Sequence, residues 1–249
     1  MITLERADGF SWLRMNDGKA NAIRADFLDE LDRRLDEASG PLVVTGAGKF
    51  FSGGLDLPAL HGLGRDEVEG LLRQFETTFL RLFAWPAPVV AAVNGHAIAG
   101  GCILAMQADY RVGVNAPLQM GINEVAIGVG LPAFVVETFR ARIAPAALAR
   151  LALQGVLLAP GEAREAGLLD EVVEAGSLVA RAGEKVRELA SVSAAAFAQA
   201  KALLRRPALS ALAATRNADA DSWLDVWFSE PAQAQIASIV ARLKAPRGA

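Results

Sequence analysis

Cysteine is almost absent: Cys102 is the single one among 249 residues. An internal disulfide framework is excluded, and a reducing compartment fits. Because Cys102 lies in an apolar stretch, a buried inert thiol is expected rather than a nucleophile. An excess of charge of one sign is also lacking. Lys plus Arg number 25 against 28 Asp plus Glu, a net charge of −3, with no basic block. Nucleic-acid binding therefore has no electrostatic footprint. Glu5, Arg6 and Asp8 precede any apolar run, which argues against a signal peptide. The closing Arg247-Gly248-Ala249 matches no anchor or retention signal. A cytoplasmic protein is expected, with no membrane partner.

Nucleotide-binding signatures are missing as well. No G-x-G-x-x-G occurs. Thr45-Gly46-Ala47-Gly48-Lys49 invites comparison with a P-loop but fails it: the spacing between glycines is too short, and Phe50 stands where Ser or Thr is needed. Residues 86–107 lack Asp, Glu, Lys and Arg altogether. Two prolines, three glycines, Asn94 and His96 break that run too often for a transmembrane helix.

What is present is a core-rich chain. An apolar fraction of 53% excludes disorder, and 249 residues suit one large domain or one with a small appendage. Residues 2–6 and 10–15 read as strands around the Asp8-Gly9 hairpin signal. Phe27, Leu28, Leu31, Leu35 and Ala38 recur at helical spacing, and Leu42-Val43-Val44 reads as a buried strand. Strand, helix and strand in this order suggest crossover units and a parallel sheet. Residues 66–83 form an amphipathic helix, with Asp66 and Glu69 as a candidate capping box. Beyond residue 144 the chain reads as nearly all helix, with a short strand at Val172-Val173. One helix is expected over 193–206, broken by Pro207. Trp223, Trp227 and Phe228 fit ordinary core or a subunit contact.

Three stretches carry candidate chemistry. Phe51-Ser52-Gly53-Gly54-Leu55-Asp56-Leu57 is a glycine-paired loop after a strand, either a plain loop or one whose N–H groups face a ligand. Val89 to Val93 is a buried strand, and Ala99-Gly100-Gly101 opens an apolar helix at 102–106. The N-terminus of that helix suits an oxygen that gains negative charge. The glycine pair alone also fits close helix packing. Glu124 is the only charged residue between Val112 and Val136. Apolar surroundings raise a carboxyl group's proton affinity, which prepares it as a general base or acid. A surface glutamate at a helix start, or a buried one holding backbone N–H groups, is the plainer reading. His61 reads as a surface residue and His96 as structural.

Together these segments resemble the crotonase superfamily, the enoyl-CoA hydratase/isomerase family. The match is carried by 43–57, by 88–102 and by Gly121-Ile122-Asn123-Glu124, with Asp109-Tyr110-Arg111 and 163–170 also fitting. The resemblance covers nearly the whole chain. It implies an α/β fold of ββα turns wound as a superhelix over residues 1–190, followed by a helical C-terminal region, 191–249, that mediates trimerisation. Trimers of this family often pair into hexamers. It also implies an acyl-CoA substrate, with coenzyme A as part of that substrate and no separate cofactor or metal. The backbone N–H groups of Leu55 and Gly100 would hold the thioester oxygen, with Glu124 as the base. Gly53, Gly54 and Gly101 would shape that site. Lys19, Ala20, Asp56 and Leu57 match segments that line the CoA groove, and Lys244 is a further candidate for the CoA phosphates.

One departure narrows the chemistry. Hydratases of the family usually carry two glutamates. Glu124 matches the second, while Ile103 stands where the first would fall. The pattern resembles the single-glutamate Δ3-Δ2-enoyl-CoA isomerases. Hydration, another single-carboxylate reaction such as hydrolysis or decarboxylation, and non-catalytic acyl-CoA binding are the alternatives.

Overall fold

The structure is a computed structural model and describes residues 1–245. Strands β1 (Ile2–Ala7) and β2 (Phe10–Met15) pair antiparallel across Asp8-Gly9, and Gly9 takes the positive φ of 82° that the two-residue turn requires. Helix α1 (Ala25–Glu37) buries Phe27, Leu28, Leu31 and Leu35 of the stripe seen in sequence and ends before its last member, Ala38, which is the extended C-cap. Then come β3 (Leu42–Thr45), β4 (Phe50–Ser52), α2 (Leu57–Leu60) and α3 (Arg65–Phe83). The cap of α3 differs from the expected one. Gly64 is the N-cap, and Glu67 rather than Glu69 reaches back to its N–H, at 2.9 Å. The N-cap lies two residues before the expected Asp66, so the capping carboxylate shifts by the same two residues, from Glu69 to Glu67.

The middle of the chain repeats one pattern. β5 (Val89–Val93), β6 (His96–Ile98) and α4 (Gly100–Met106) are followed by β7 (Tyr110–Val114), β8 (Met120–Gly121) and α5 (Ala133–Arg140). Strands β3, β5 and β7 join a six-stranded sheet ordered β1-β2-β3-β5-β7 and completed by β9 (Glu171–Val173). Strands β4, β6 and β8 form a separate three-stranded sheet. Apart from the first hairpin, both sheets are parallel. Each turn thus gives one strand to the large sheet and the next to the small one, an α/β superhelix. The three short strands are hard to see in sequence, since two or three residues cannot display an alternation.

Between β8 and β9 lie α5, α6 (Pro145–Gln154) and α7 (Pro160–Glu165); α8 (Leu178–Ala190) then packs across β3, β5 and β7. Two long helices close the described chain, α9 (Ala194–Trp227) and α10 (Glu230–Lys244). Pro207 does not end α9, contrary to expectation. It lies on the exposed face, so the carbonyl it leaves without a donor faces water. The turns on either side are anchored. Lys201 and Arg205 reach Asp109 at 2.6 and 3.0 Å, and Ala208 and Leu212 are buried. A second hydrophobic cluster joins Trp223, Leu224, Trp227, Ile236 and Val240 to Leu60, Val68 and Leu72 of α2 and α3. Trp223 and Trp227 are therefore core residues of their own chain. No helix among the described residues is long and apolar enough to cross a membrane.

Candidate active site

The site begins with the loop after β4. Asn21, at a positive φ of 50°, sends its amide to the carbonyls of Phe50 and Phe51, at 3.3 and 3.1 Å. Asp17 braces the same loop. Burial would raise its pKa, but the N–H groups of Asn21, Lys19 and Ala22 outweigh that and hold it below the usual carboxylate range. Segment 20–23 then runs beside 53–56. Gly53 N–H donates to Ala20 O, Ile23 N–H to Gly54 O and Asp56 N–H to Ile23 O, at 2.8, 2.8 and 3.1 Å. Gly54 N–H turns to Ser52 Oγ at 3.2 Å. That leaves the Leu55 N–H, between committed neighbours, with no acceptor among the described residues.

Opposite it stands the start of α4. The entry residue, Ala99, is strained: φ is +51° and ψ −122°, where a side chain rarely sits. Its N–H is held by Gly121 O at 2.8 Å and its carbonyl takes the Ile103 N–H at 3.0 Å. This bend turns the chain from β6 into α4 and leaves Gly100 N–H without an acceptor among the described residues. The two loops touch. A Cβ placed on Gly100 would lie 3.3 Å from Gly54 Cα and 3.6 Å from Leu55 N, and one on Gly101 would stand 2.0 Å from Ser52 O. Only glycine lets α4 approach β4 this closely at 101. The result is a pair of adjacent, uncommitted backbone donors at a helix N-terminus, an arrangement suited to developing negative charge on oxygen.

Glu124 follows β8, one residue before a short 3-10 turn at Val125–Ile127. Its backbone is fixed because its carbonyl accepts from Ile127 and Val129, at 3.1 and 2.9 Å. The side chain is 8% exposed, and Oε2 is buried without a hydrogen-bond partner. Burial pushes its pKa up to about 7, opposed only by its own backbone amide. Among the described residues no cation faces it closely enough to reverse this. The surface reading of Glu124 is thereby excluded.

These parts line one narrow apolar cavity of about 30 Å³. Leu55, Gly100 and Glu124 share it with Ile103, Phe75, Leu60, Leu71, Leu72, Val129, Pro132 and Trp223. Ile103 is 1% exposed and puts a hydrocarbon beside Glu124 where a second carboxylate would complete a pair. Leu60 and Leu71 also line a wider recess of about 580 Å³ that includes Arg24 and Asp26. Through Leu60 and Leu71 the cavity meets a broad open groove.

The remaining candidates fall into two groups. Ala20 and Gly53 meet at this loop; Asp56 caps α2 through Ala59 N–H at 3.2 Å and pairs with Arg24 at 3.3 Å, and Leu57 opens that helix half-buried. Lys19 stands exposed beside Ala20. Lys244 is exposed in the last turn of α10 and lines none of this cavity. Cys102 is fully buried, and desolvation followed by the charge of Glu124 raises its pKa, so it is inert. His96 is structural: Nδ1 accepts from Gln119 N–H at 3.0 Å. Sequence reasoning passed over Asp17 and Asn21, read Ala99 only as the entry to the α4 helix, and read Trp223 as core or a subunit contact rather than as part of this site. The turn-forming Asp17 and Asn21 gave a signal in residue type; the strain at Ala99 and the place of Trp223 beside Glu124 gave none.

Two open backbone donors, one unpaired carboxyl and an otherwise apolar lining, carried on a ββα superhelix, define a class of protein that handles an apolar molecule through a single titratable group. Comparison with known proteins makes the class specific. The profile described as enoyl-CoA hydratase/isomerase matches residues 5–243, and the chain belongs to that family, the crotonase superfamily. Human mitochondrial enoyl-CoA delta isomerase 1 is 26% identical over 255 residues, covering 100% of this chain and 84% of the relative. A crystal structure of human mitochondrial Δ3-Δ2-enoyl-CoA isomerase superposes with a TM-score of 0.93, covering 99% of each chain at 26% identity. A putative enoyl-CoA hydratase of Thermus thermophilus is 33% identical over 180 residues, 71% of this chain and 70% of the relative.

Proposed function

We propose that this enzyme of the crotonase family is an enoyl-CoA isomerase that moves a double bond from Δ3 to Δ2. The observation that carries the reading is the solitary carboxyl group: Glu124 is buried and unpaired, with Ile103 in place of a second acid. The thioester oxygen lies between the N–H groups of Leu55 and Gly100. Ionised Glu124 takes the proton from C2 of the 3-enoyl thioester. The electron pair spreads over the dienolate, and its charge rests on the oxygen held by the two donors. Protonated Glu124 returns the proton at C4, leaving the double bond between C2 and C3. No water is consumed and the base is regenerated. A pKa raised to about 7 suits a group that must both take and give the proton.

The CoA portion follows the open groove beside Lys19, Ala20, Asp56 and Leu57, with Gly53, Gly54 and Gly101 shaping the turn and Lys244 as an outlying cation for phosphate. Coenzyme A enters as part of the substrate, and the reaction needs no further cofactor. A cytoplasmic trimer, or a pair of trimers, completes the reading. Exposed Leu203 and Leu204 on α9 are apolar surface that a subunit contact would cover.

Hydration, a lyase reaction, is the second reading, favoured by the relatives named as hydratases. Wild type and Glu124→Gln should be offered a 3-enoyl-CoA and, in parallel, a 2-enoyl-CoA. Conjugated product from wild type alone, with the 2-enoyl substrate untouched, supports isomerisation. Loss of the 2-enoyl substrate without any conjugation of the 3-enoyl one would replace it with hydration.

A further inference from the structure

The cavity that holds Glu124 has an inner wall. Leu72, Pro132 and Trp223 line it on one side and a second small recess on the other. That recess continues past Ala220 and Leu212 to Arg216 and Glu76, which face each other at 3.5 Å near the surface. Trp223 is the largest part of this partition, and it is held firmly. Its indole N–H donates to Gly130 O at 2.8 Å, and its ring stacks on Trp227 with centroids 5.0 Å apart. Trp227 is itself 2% exposed, so neither ring has room to swing aside.

We propose that Trp223 is the chain-length stop of this site and limits the substrate to thioesters of short acyl chains. The inference rests on the acyl-CoA reading above. At about 30 Å³ the cavity has room for a water or two. A short acyl group fits by small shifts of Leu60 and Leu71 at the open end. A long one would have to displace a hydrogen-bonded, stacked indole. Without the indole the two cavities merge, and an alkyl chain gains a path toward the Arg216–Glu76 edge. Trp223 has a separate positioning role. Gly130 lies on the loop whose Val129 N–H binds the Glu124 carbonyl, so the indole also steadies the base.

Binding separates this inference from the reaction assignment, because saturated acyl-CoAs bind without turning over. Calorimetry on wild type, Trp223→Ala and Trp223→Phe with butanoyl-, hexanoyl- and dodecanoyl-CoA is the test. Wild type should bind hexanoyl-CoA at least as tightly as dodecanoyl-CoA. Trp223→Ala should gain about tenfold or more for dodecanoyl-CoA while its butanoyl affinity stays within about twofold. Trp223→Phe should keep the wild-type preference but lower kcat with little change in KM, since it keeps the stop and loses the N–H. Should Trp223→Ala not fold, Trp223→Leu is measured in its place. A chain-length profile shared by wild type and the truncated variant overturns the stop. So does wild type preferring dodecanoyl-CoA by about tenfold. Binding of none of the three acyl-CoAs by any variant would instead overturn the acyl-CoA reading, and this inference with it.

Discussion

Glu124 is buried with one oxygen unpaired, a costly state that the fold tolerates by letting the group hold a proton near neutrality. A carboxyl group whose folded pKa of about 7 exceeds its unfolded value of 4.5 favours the folded chain below pH 4.5. That advantage is lost as the pH climbs through 7. Glu124→Gln should therefore be more stable than wild type above pH 7, by about 2–3 kcal/mol, and nearly equal to it near pH 4. Denaturant unfolding at the two pH values checks this. The same group should give kcat/KM an acid limb near pH 7, with activity rising as the base ionises, and Glu124→Gln should bind acyl-CoA but transfer no proton. At Leu55 the donor is main chain. Leu55→Pro should lose about 10²–10³-fold in kcat, whereas Leu55→Ala should lose far less. Equal losses would remove Leu55 N–H from the mechanism. Charge isolation made Glu124 legible in sequence. The open N–H at 55 was legible only through the resemblance, because an amide's freedom depends on what its neighbours bind.

At the scale of elements, two features oppose local preference. Ala99 holds a positive φ at the mouth of α4, a conformation costing about 1–3 kcal/mol. Ala99→Gly should relieve part of it and raise stability by up to about 1 kcal/mol, net of glycine's extra freedom in the unfolded chain. Thermal unfolding measures that gain, and unchanged or lower stability would mean that Ala99 packing outweighs the strain. Pro207 sits inside α9 on its exposed face. Pro207→Ala restores a helical N–H at a site without packing demands, so it should raise the unfolding midpoint, by about 1–3 kcal/mol in free energy. The proline was visible in sequence and suggested a break. Anchors far away in the chain, Asp109 for Lys201 and Arg205, carry the helix through it. The Val89–Val93 strand and the α1 and α3 stripes needed no such help, since burial on a periodic face shows in residue type alone.

Across the whole molecule, α9 packs against α3 and α5 and links the buried Asp109 cluster to the Glu124 cavity. Near its start, Lys201 and Arg205 converge on Asp109, with Arg142 at 3.7 Å from the same carboxylate. Near its end, Trp223 closes the cavity beside Glu124. Asp109→Asn would leave three cations facing one another. Burial favours the neutral forms of Lys201 and Arg142, and the Asp109 carboxylate opposes it, so the substitution removes the charge that keeps them ionised. Stability should fall by about 3–5 kcal/mol, read by denaturant unfolding. By itself the sequence determined the parallel α/β core, the helical end, the glycine-paired loops and the lone carboxylate between Val112 and Val136. Each is a local matter of residue type and spacing. Only the tertiary structure decided the pairing of β4, β6 and β8 into a second sheet, the strained turn at Ala99, the passage of α9 through Pro207 and the placing of Trp223 against the Glu124 cavity. These depend on contacts between residues far apart in the chain, and no window of sequence contains both partners.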